Sequence, residues 1–477
     1  MNYKEILSKI KRLLGWWKQR DLTLFGKIQL IKAFGISKLL YVSSIMSVPQ
    51  WVFKEIEKIC FNFLWNGHDK IKRNILYTNY NVGGLKMLNF KYMVCAQRVM
   101  WIKRLLGGNK EMKWKYFFQH VFRSLGGTLI FLCNYNPRAF NLSAPKLYLE
   151  FLDIWNYLRE REFIIREVHW ENQIFFNNTF IKGRTFHFNE KLFKVNLFQV
   201  KHIVDTDGKM RTGDFLLRKG LNVNDLFSLK DLYNRIPMEW KKRRTSSGRG
   251  DTVHNNLDFS NIHFDINKNV FSFTSVSSKM IYNIFINTIQ DSFAFKHPDV
   301  SALNMNKSAV ATCFSIPRVS TLDWKLREFQ YKLLHSIIFC NDKLFQFGLI
   351  DSNTCSFCRK ETETYYHIFY KCAEVSKIWT EIGNKLHFLE LLDLQWLEVL
   401  LGVRDNVKQN ALLNHVIILV KHMIYNNRKL GKVPTCNEIC SAIKKSKQIE
   451  HDKARRKDKL TLHLTKWEKF SQLSVYM

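Results

Sequence analysis

Apolar residues recur at helical spacing along most of the chain. Ile6, Ile10, Leu13, Leu14 and Trp17 step by one to four positions, with Lys4, Lys9, Lys11 and Arg12 between them, the pattern of an amphipathic helix. A second helix is predicted from Thr23, a suitable N-cap, carrying Ile28, Ile31 and Phe34. Pro49 closes a third, and Val52, Phe53, Ile56, Ile59, Cys60, Phe63 and Leu64 form the stripe of a fourth. Asn66-Gly67 and Gly83-Gly84 read as turns, Ile75 to Tyr77 as a short strand, and Phe90 to Leu106 as another helix. Between about 110 and 310 the period weakens into aromatic-rich pieces such as FIIREVHWENQIFF. There, Phe180 to Phe198 reads as strands and Ser278 to Ile289 as a helix. Beyond Pro317, Leu322, Leu326, Phe329, Leu333 and Ile337 predict a helix capped by Ser320 or Thr321. Residues 373 to 470 read as several helices, with Cys436 and Cys440 as core thiols and a basic end at Lys444, Lys445, Lys447, Arg455, Arg456 and Lys457.

Composition sharpens this picture. The 477 residues include 20 Gly and 7 Pro against 38 Phe, which favours long helices over a turn-rich β architecture and argues against wholesale disorder. Lys and Arg total 74 against 41 Asp and Glu, a net charge of +33 spread through the chain. Such an excess repels itself in a compact fold unless a polyanion neutralises it, so RNA or DNA is the expected partner, ahead of an anionic membrane. The first twenty residues offer no apolar run free of Lys or Arg, and Ala411 to Val420 is too short to span a bilayer. The expectation is a nuclear and cytoplasmic protein, not secreted, with no membrane and no small-molecule substrate, whose ten cysteines are thiols or metal ligands.

Four of those residues form the sharpest local signal, Cys355-x2-Cys358-x8-His367-x4-Cys372. Three thiolates and an imidazole suit the tetrahedral preference of zinc, and a Cys-x2-Cys knuckle directs both sulfurs at one point. With all four positions filled by protein, the zinc is expected to be structural. His367 and Cys372 lie about 140° apart on an ideal helix, so either the helix starts after His367 or its first turn is distorted. Val204 to Gly208 resembles a calcium loop, but Met210 and Thr212 stand where oxygen ligands are needed; a turn is the better reading. No Gly-rich phosphate loop, nucleophile elbow or His-Glu-x-x-His is present, and His120 and His202 read as structural.

The run from Trp324 to Cys372 closely resembles the zinc-binding domain that follows the reverse transcriptase in LINE-type, non-LTR retrotransposons. Its marks are Phe329 and Leu333, the connection from Asn341 to Gly348, the CSFC knuckle, the pairs Glu361-Thr362 and Glu363-Thr364, and the His-x4-Cys closure. A second stretch is similar to the thumb and post-thumb region of those polyproteins, in the Tx1-like branch. It carries Trp17, Arg20, Leu22, Gly26, Ile31, Lys32, Tyr41, Phe63, Trp65, Gly67, Gly83 and Gly84 in the family pattern. The resemblance implies a thumb that tracks a template–primer duplex, and extends that role to Lys9, Lys11, Arg12, Lys18, Arg20, Lys27 and Lys32. Ordinary solvated helix faces are the alternative for these residues. Trp16 and Trp17 suit base stacking, but tryptophan at such positions is more often core.

The family's polymerases hold two Mg²⁺ ions through an Asp-Asp turn and a further palm aspartate. No two aspartates are adjacent in this sequence, and no endonuclease region is recognised. The expectation is therefore a truncated, non-catalytic fragment that binds nucleic acid and zinc. A decayed remnant, or a subunit supporting reverse transcription in trans, remains the alternative. The predicted fold is mainly α and multidomain, with some short β in the middle region and a zinc-knuckle helical module near the C-terminus. Its parts are a thumb-like helical module (1–108), an irregular α+β middle (109–240) and a basic flexible linker (241–256). A connecting segment (257–319), the zinc-binding domain (320–375) and a basic helical C-terminal region (376–477) follow. Lys241, Lys242, Arg243 and Arg244 at the linker are candidate phosphate contacts or a nuclear-localisation signal; a solvated linker explains them equally.

Overall fold

The computed structural model describes residues 3–107, 112–123, 127–132, 143–166, 174–175, 177, 190–195, 197–242, 262–266, 268–290, 297–300 and 305–473. The chain opens with α1 (Tyr3–Trp17) and α2 (Leu24–Leu30), which runs through a π-helical stretch (Ile31–Ile36) into α3 (Ser37–Ile45). Helices α4 (Gln50–Trp65) and α5 (Arg73–Tyr77) follow. Thr23 caps α2 as its sequence predicts, its Oγ1 accepting the Gly26 N–H at 3.2 Å. The stretch Leu24–Ile45 is long and apolar enough to cross a membrane by length and composition, a test that buried core helices also pass. Leu24, Ile28, Ile31 and Ile36 on it are buried in the protein.

The expected strand at Ile75 to Tyr77 is instead helical, as α5. Three apolar residues are too few to show a period, and burial of Leu76 and Tyr77 satisfies either conformation. The Leu76 carbonyl still meets the returning chain, accepting from the N–H groups of Leu85 and Met87 at 3.2 and 2.9 Å.

The middle of the chain is more helical than expected. It contains α6 (Phe90–Leu106), α7 (Lys113–Val121), α8 (Lys146–Glu160), α9 (Glu190–Lys194) and α10 (Val200–Ile203). Then come α11 (Gly213–Leu217), α12 (Val223–Arg235) and α13 (Ser278–Gln290). Strands β1 (Ile164–Arg166), β2 (Ile262–Ile266) and β3 (Asn269–Ser272) form one antiparallel sheet in the order β1-β2-β3. Ile262, Phe264 and Ile266 alternate inward, and Phe264 meets Trp155 of α8 edge-on at 6.1 Å. Much of Phe180 to Phe198, read as strands, lies outside the described residues, but α9 occupies Glu190–Lys194. The Val204 to Gly208 segment is a turn: Asp205 Oδ1 accepts the N–H groups of Asp207 and Lys209, and Val204 bridges Met210.

The last part holds α14 (Lys307–Ser320), α15 (Trp324–Leu334), α16 (Asn341–Gln346), α17 (Ala373–Lys385) and α18 (Trp396–Leu401). It ends with α19 (Ala411–Asn427), α20 (Cys436–Arg456) and α21 (Leu460–Leu473). Pro317 lies inside α14 rather than ahead of a helix, and the cap of α15 is Asp323, whose Oδ1 accepts the Lys325 N–H at 2.7 Å.

Two compact units emerge, and both are assembled from non-contiguous segments. One comprises 1–39, 54–89 and 286–477; the other comprises 40–53 and 90–285. In the first unit the C-terminal helices close around α19. Its Lys421 is wholly buried, donating to Gln330 Oε1 at 2.8 Å and to the carbonyls of Val399 and Leu400 at the end of α18. Within the same unit, Phe25 of α2 packs on Trp324 and Tyr331 of α15 at ring distances of 5.2 and 6.2 Å. The Gly83 carbonyl accepts from Tyr331 Oη at 3.0 Å and lies 2.9 Å from His335 Nε2. The N-terminal helices and the segment ahead of the cysteine cluster thus share one core.

Candidate metal centre

The chain between α16 and α17 folds back on itself to make the centre. Thr354 bridges Thr362, the Cys355 N–H bonds the Glu361 carbonyl at 2.8 Å, and the Glu363 N–H bonds the Asn353 carbonyl at 2.9 Å. These rungs close a tight loop with the Cys-x2-Cys knuckle at its tip. Arg359 takes a left-handed conformation (φ 54°) as the loop turns, and its N–H returns to the Cys355 carbonyl at 3.0 Å. The Phe357 N–H points at Cys355 Sγ from 3.5 Å, the backbone donor that such a knuckle offers a thiolate.

The other two ligands come from a distorted helical turn. His367–Lys371 is π-helical, and the Cys372 N–H closes on the His367 carbonyl at 2.8 Å. A bond between residues five apart brings their side chains together, where an α-helix would separate them. Thr364 Oγ1 accepts the His367 N–H at 3.1 Å, fixing the start of that turn. Cys372 has left helical geometry (φ −56°, ψ 126°) and is the N-cap of α17. Of the two alternatives posed by the spacing, both hold in part: the π-turn carries His367, and the regular helix begins after Cys372.

Cys355 Sγ and Cys372 Sγ are 3.8 Å apart, Cys358 Sγ and His367 Nε2 are 3.3 Å apart, and all four ligand atoms lie within 4.8 Å of one another. Two sulfurs bound to one tetrahedral zinc at about 2.3 Å sit about 3.8 Å apart, and a sulfur and an imidazole nitrogen about 3.5 Å. The donor set and its spacing fit the ion. Cys355, His367 and Cys372 are buried and Cys358 is half-buried. The Cys372 thiol is lowered by its hydrogen bond with Cys355 and by the backbone N–H groups of Val375 and Glu374 at the start of α17; Cys355 is raised by the same pairing and by burial. Both thiols must ionise to bind a divalent cation, so loading the site releases protons. Cys355, Cys358, His367 and Cys372 supply a full tetrahedron, so the zinc is structural.

A layer of polar residues holds the ligands. His367 Nδ1 faces Glu361 Oε2 at 3.2 Å, off the line of a formed hydrogen bond, which leaves Nε2 for the metal. Glu363 is completely buried and accepts from Asn341 N at 3.0 Å, Ser356 N at 2.9 Å, Ser356 Oγ at 2.7 Å and Arg428 Nη1 at 3.0 Å. Arg428 also donates to the Phe339 carbonyl at 2.6 Å and lies over the Tyr425 ring. The two Glu-Thr pairs seen in the sequence therefore differ in role. Glu361 faces a ligand from the solvent side, whereas Glu363 ties the knuckle to the starts of α16 and the turn after α19. Arg428 gives no signal in the sequence, because its partner lies far away along the chain.

Fold and cluster define a mainly helical protein with a closed Cys3His zinc site. The surrounding sequence adds a comparison: residues 302–379 match the family described as zinc-binding in reverse transcriptase. The match takes in α14 through the first half of α17, beginning earlier than the boundary at 320 drawn from the motif alone. It supports a reverse-transcriptase-related protein.

The candidate phosphate-binding cations are spread over both units. In the first, Lys11, Arg12, Lys18 and Arg20 are exposed, Lys18 donating to Asn62 Oδ1 at 3.2 Å. Lys9 is exposed and paired with Glu5 at 2.6 Å. Lys27 is half-buried and donates to the Leu64 carbonyl at the end of α4; burial lowers its amine and that of Lys32. In the second unit Lys242 is exposed and Lys241 lies 4.2 Å from the Tyr233 ring centre. Arg243 and Arg244 lie outside the described residues. His202 is buried, its Nδ1 accepting from the N–H groups of Phe198 and Gln199, and is structural as expected.

Proposed function

We propose that this chain is a nucleic-acid- and zinc-binding part of a LINE-type, non-LTR retrotransposon reverse transcriptase of the Tx1-like branch, without polymerase chemistry of its own. The observation that carries this reading is a closed Cys3His centre inside a segment matched to the reverse-transcriptase zinc-binding family, in a chain of net charge +33. A closed centre leaves the metal no position for a reacting water, so zinc supports folding and presentation rather than catalysis. The uncompensated positive charge favours RNA, DNA or their hybrid, held through phosphates with little dependence on sequence. Of the candidate cations on the first unit, Lys11, Arg12, Lys18 and Arg20 are exposed for that contact. No adjacent aspartates are available for a palm-type metal pair, which is the basis for the non-catalytic reading. A place in the nucleus and cytoplasm goes with it.

Binding of the purified chain to a labelled RNA hairpin and a DNA duplex across 50 to 300 mM salt tests this. Affinity that falls steeply with salt is expected, with a slope that counts the phosphate contacts. Weak binding to both ligands at the lowest salt would overturn the nucleic-acid reading. Primer extension by the chain with Mg²⁺ would overturn the non-catalytic one.

A further inference from the structure

Trp16 is the most exposed tryptophan among the described residues. Helix α1 turns Leu7, Ile10 and Leu14 into the core, each at most 3% exposed, yet Trp16 beside them is 63% exposed. An indole is among the largest apolar side chains, and leaving it in water forfeits its burial. Its neighbour Trp17 is half-buried and stacks on Phe34 (ring centroids 6.4 Å, interplanar angle 20°), and Phe34 is itself 42% exposed. Arg12 lies one helical turn before Trp16 on the same face. Gly15 has nothing within 4 Å of where a Cβ would stand, so the approach beside the indole is open. Exposed Arg20 follows Trp16 by four residues, and its N–H bonds the Trp17 carbonyl at 3.2 Å, so the turn that carries it is wound rather than extended; exposed Lys11 and Lys18 lie on other faces of the helix. The acidic neighbours are engaged elsewhere: Glu5 with Lys9 and Asp21 with Lys325.

We propose that Trp16, with Arg12 and Arg20 one turn to either side of it, is a stacking subsite for an unpaired base of single-stranded RNA or DNA. The subsite rests on the nucleic-acid reading and adds to it a ligand form and an anchor. An aromatic face with cations beside it matches a base flanked by phosphates, and a duplex cannot offer that base without unstacking it. A basic amphipathic helix with tryptophan also suits a membrane surface, but that mode inserts the apolar face. Here that face is buried in the core at Leu7, Ile10 and Leu14.

The test uses the full chain and fluorescence anisotropy with three probes: a short labelled single strand, the same strand with abasic sites, and a duplex of equal length. Trp16→Ala is expected to weaken binding to the base-bearing single strand by about tenfold. Binding to the abasic strand and the duplex, the salt slope and the melting temperature should stay unchanged, and Trp16→Phe should retain most of the affinity. Equal losses on the abasic strand, or no loss on the base-bearing strand, would overturn the subsite while leaving the nucleic-acid reading in place. Absence of binding by the unaltered chain to any probe at low salt would overturn both. Transfer of the chain to anionic phosphatidylserine vesicles that Trp16→Ala abolishes would overturn the subsite in favour of a membrane contact.

Discussion

Glu363 shows how a single buried charge can govern a metal site it never touches. Its two oxygens receive four hydrogen bonds, two of them from Ser356 inside the knuckle and one from Arg428. Glu363→Ala leaves Arg428 without its carboxylate and Ser356 without its acceptor, a change expected to cost about 3–5 kcal/mol of stability. Loss of such a supporting residue is also expected to weaken zinc about 10–100-fold in competition with a chelator. Glu361→Gln should do much less, because Glu361 is exposed and its contact with His367 is loose; similar losses for the two variants would refute the division of roles. Gly83 and Gly84 are a second case. Gly83 has φ +85°, and a Cβ on Gly84 would stand 2.2 Å from the Thr78 carbonyl oxygen. Gly84→Ala should therefore lower the urea midpoint by the equivalent of about 3 kcal/mol or more, as backbone strain in a packed turn does. The zinc ligands were fully legible in the sequence, since local spacing alone brings thiolates to one point. Arg428 and the exposure of Trp16 were not legible, because both depend on how distant segments pack.

At the scale of elements, strong periodicity was the dependable guide. The stripe from Val52 to Leu64 became α4, and Phe90 to Leu106 became α6 with those bounds. The readings that changed rested on weak signals. Ile75 to Tyr77 is too short to distinguish strand from helix. Pro317 suggested a boundary, yet it sits in the final turn of α14, where only three helical residues follow the break it makes. Helix α14 itself carries a Cys, three Ser and a Thr among its apolar residues, which blurs its stripe. Helix ends also depend on residues far away in sequence. Within the second unit, Arg98 of α6 is 1% exposed and caps the end of α3, donating to the carbonyls of Ser43 and Met46 at 2.6 and 2.9 Å while pairing with Glu150 at 2.7 Å. A lysine keeps the charge but cannot reach three acceptors in a fork. Arg98→Lys is accordingly expected to destabilise this unit by about 2–4 kcal/mol, read as earlier loss of amide protection in α3 and α6 than elsewhere. Uniform protection in the variant would contradict the clamp.

For the whole molecule, acid should be the condition that undoes the fold. Burial pushes His335 and His297 down to about 4 and His415 down to about 3, so all three are neutral in the folded first unit. In the unfolded chain they protonate near pH 6.5. Their contribution is thus intact above about pH 6.5 and is lost as pH falls below it, the loss being complete only when pH passes the folded values. Denaturant titrations at pH 6.5 and pH 5 on chelator-treated chain should show a fall on the order of 2 kcal/mol per buried histidine. A flat profile would mean that these side chains are hydrated or paired. Protonation of the cysteine ligands acts in the same direction when zinc is present, because the ligands must be ionised to hold it.

The zinc site joins these scales, since its ligands are local, its π-turn is an element, and Glu363 and Arg428 tie it to the shared core. Native mass spectrometry of the purified chain, paired with thermal unfolding of Cys358→Ser, tests that claim most directly. One zinc per chain is expected, lost in Cys358→Ser together with a clear drop in melting temperature. A variant that keeps its metal and its melting temperature, or an unaltered chain that carries no zinc under zinc-replete conditions, would contradict it.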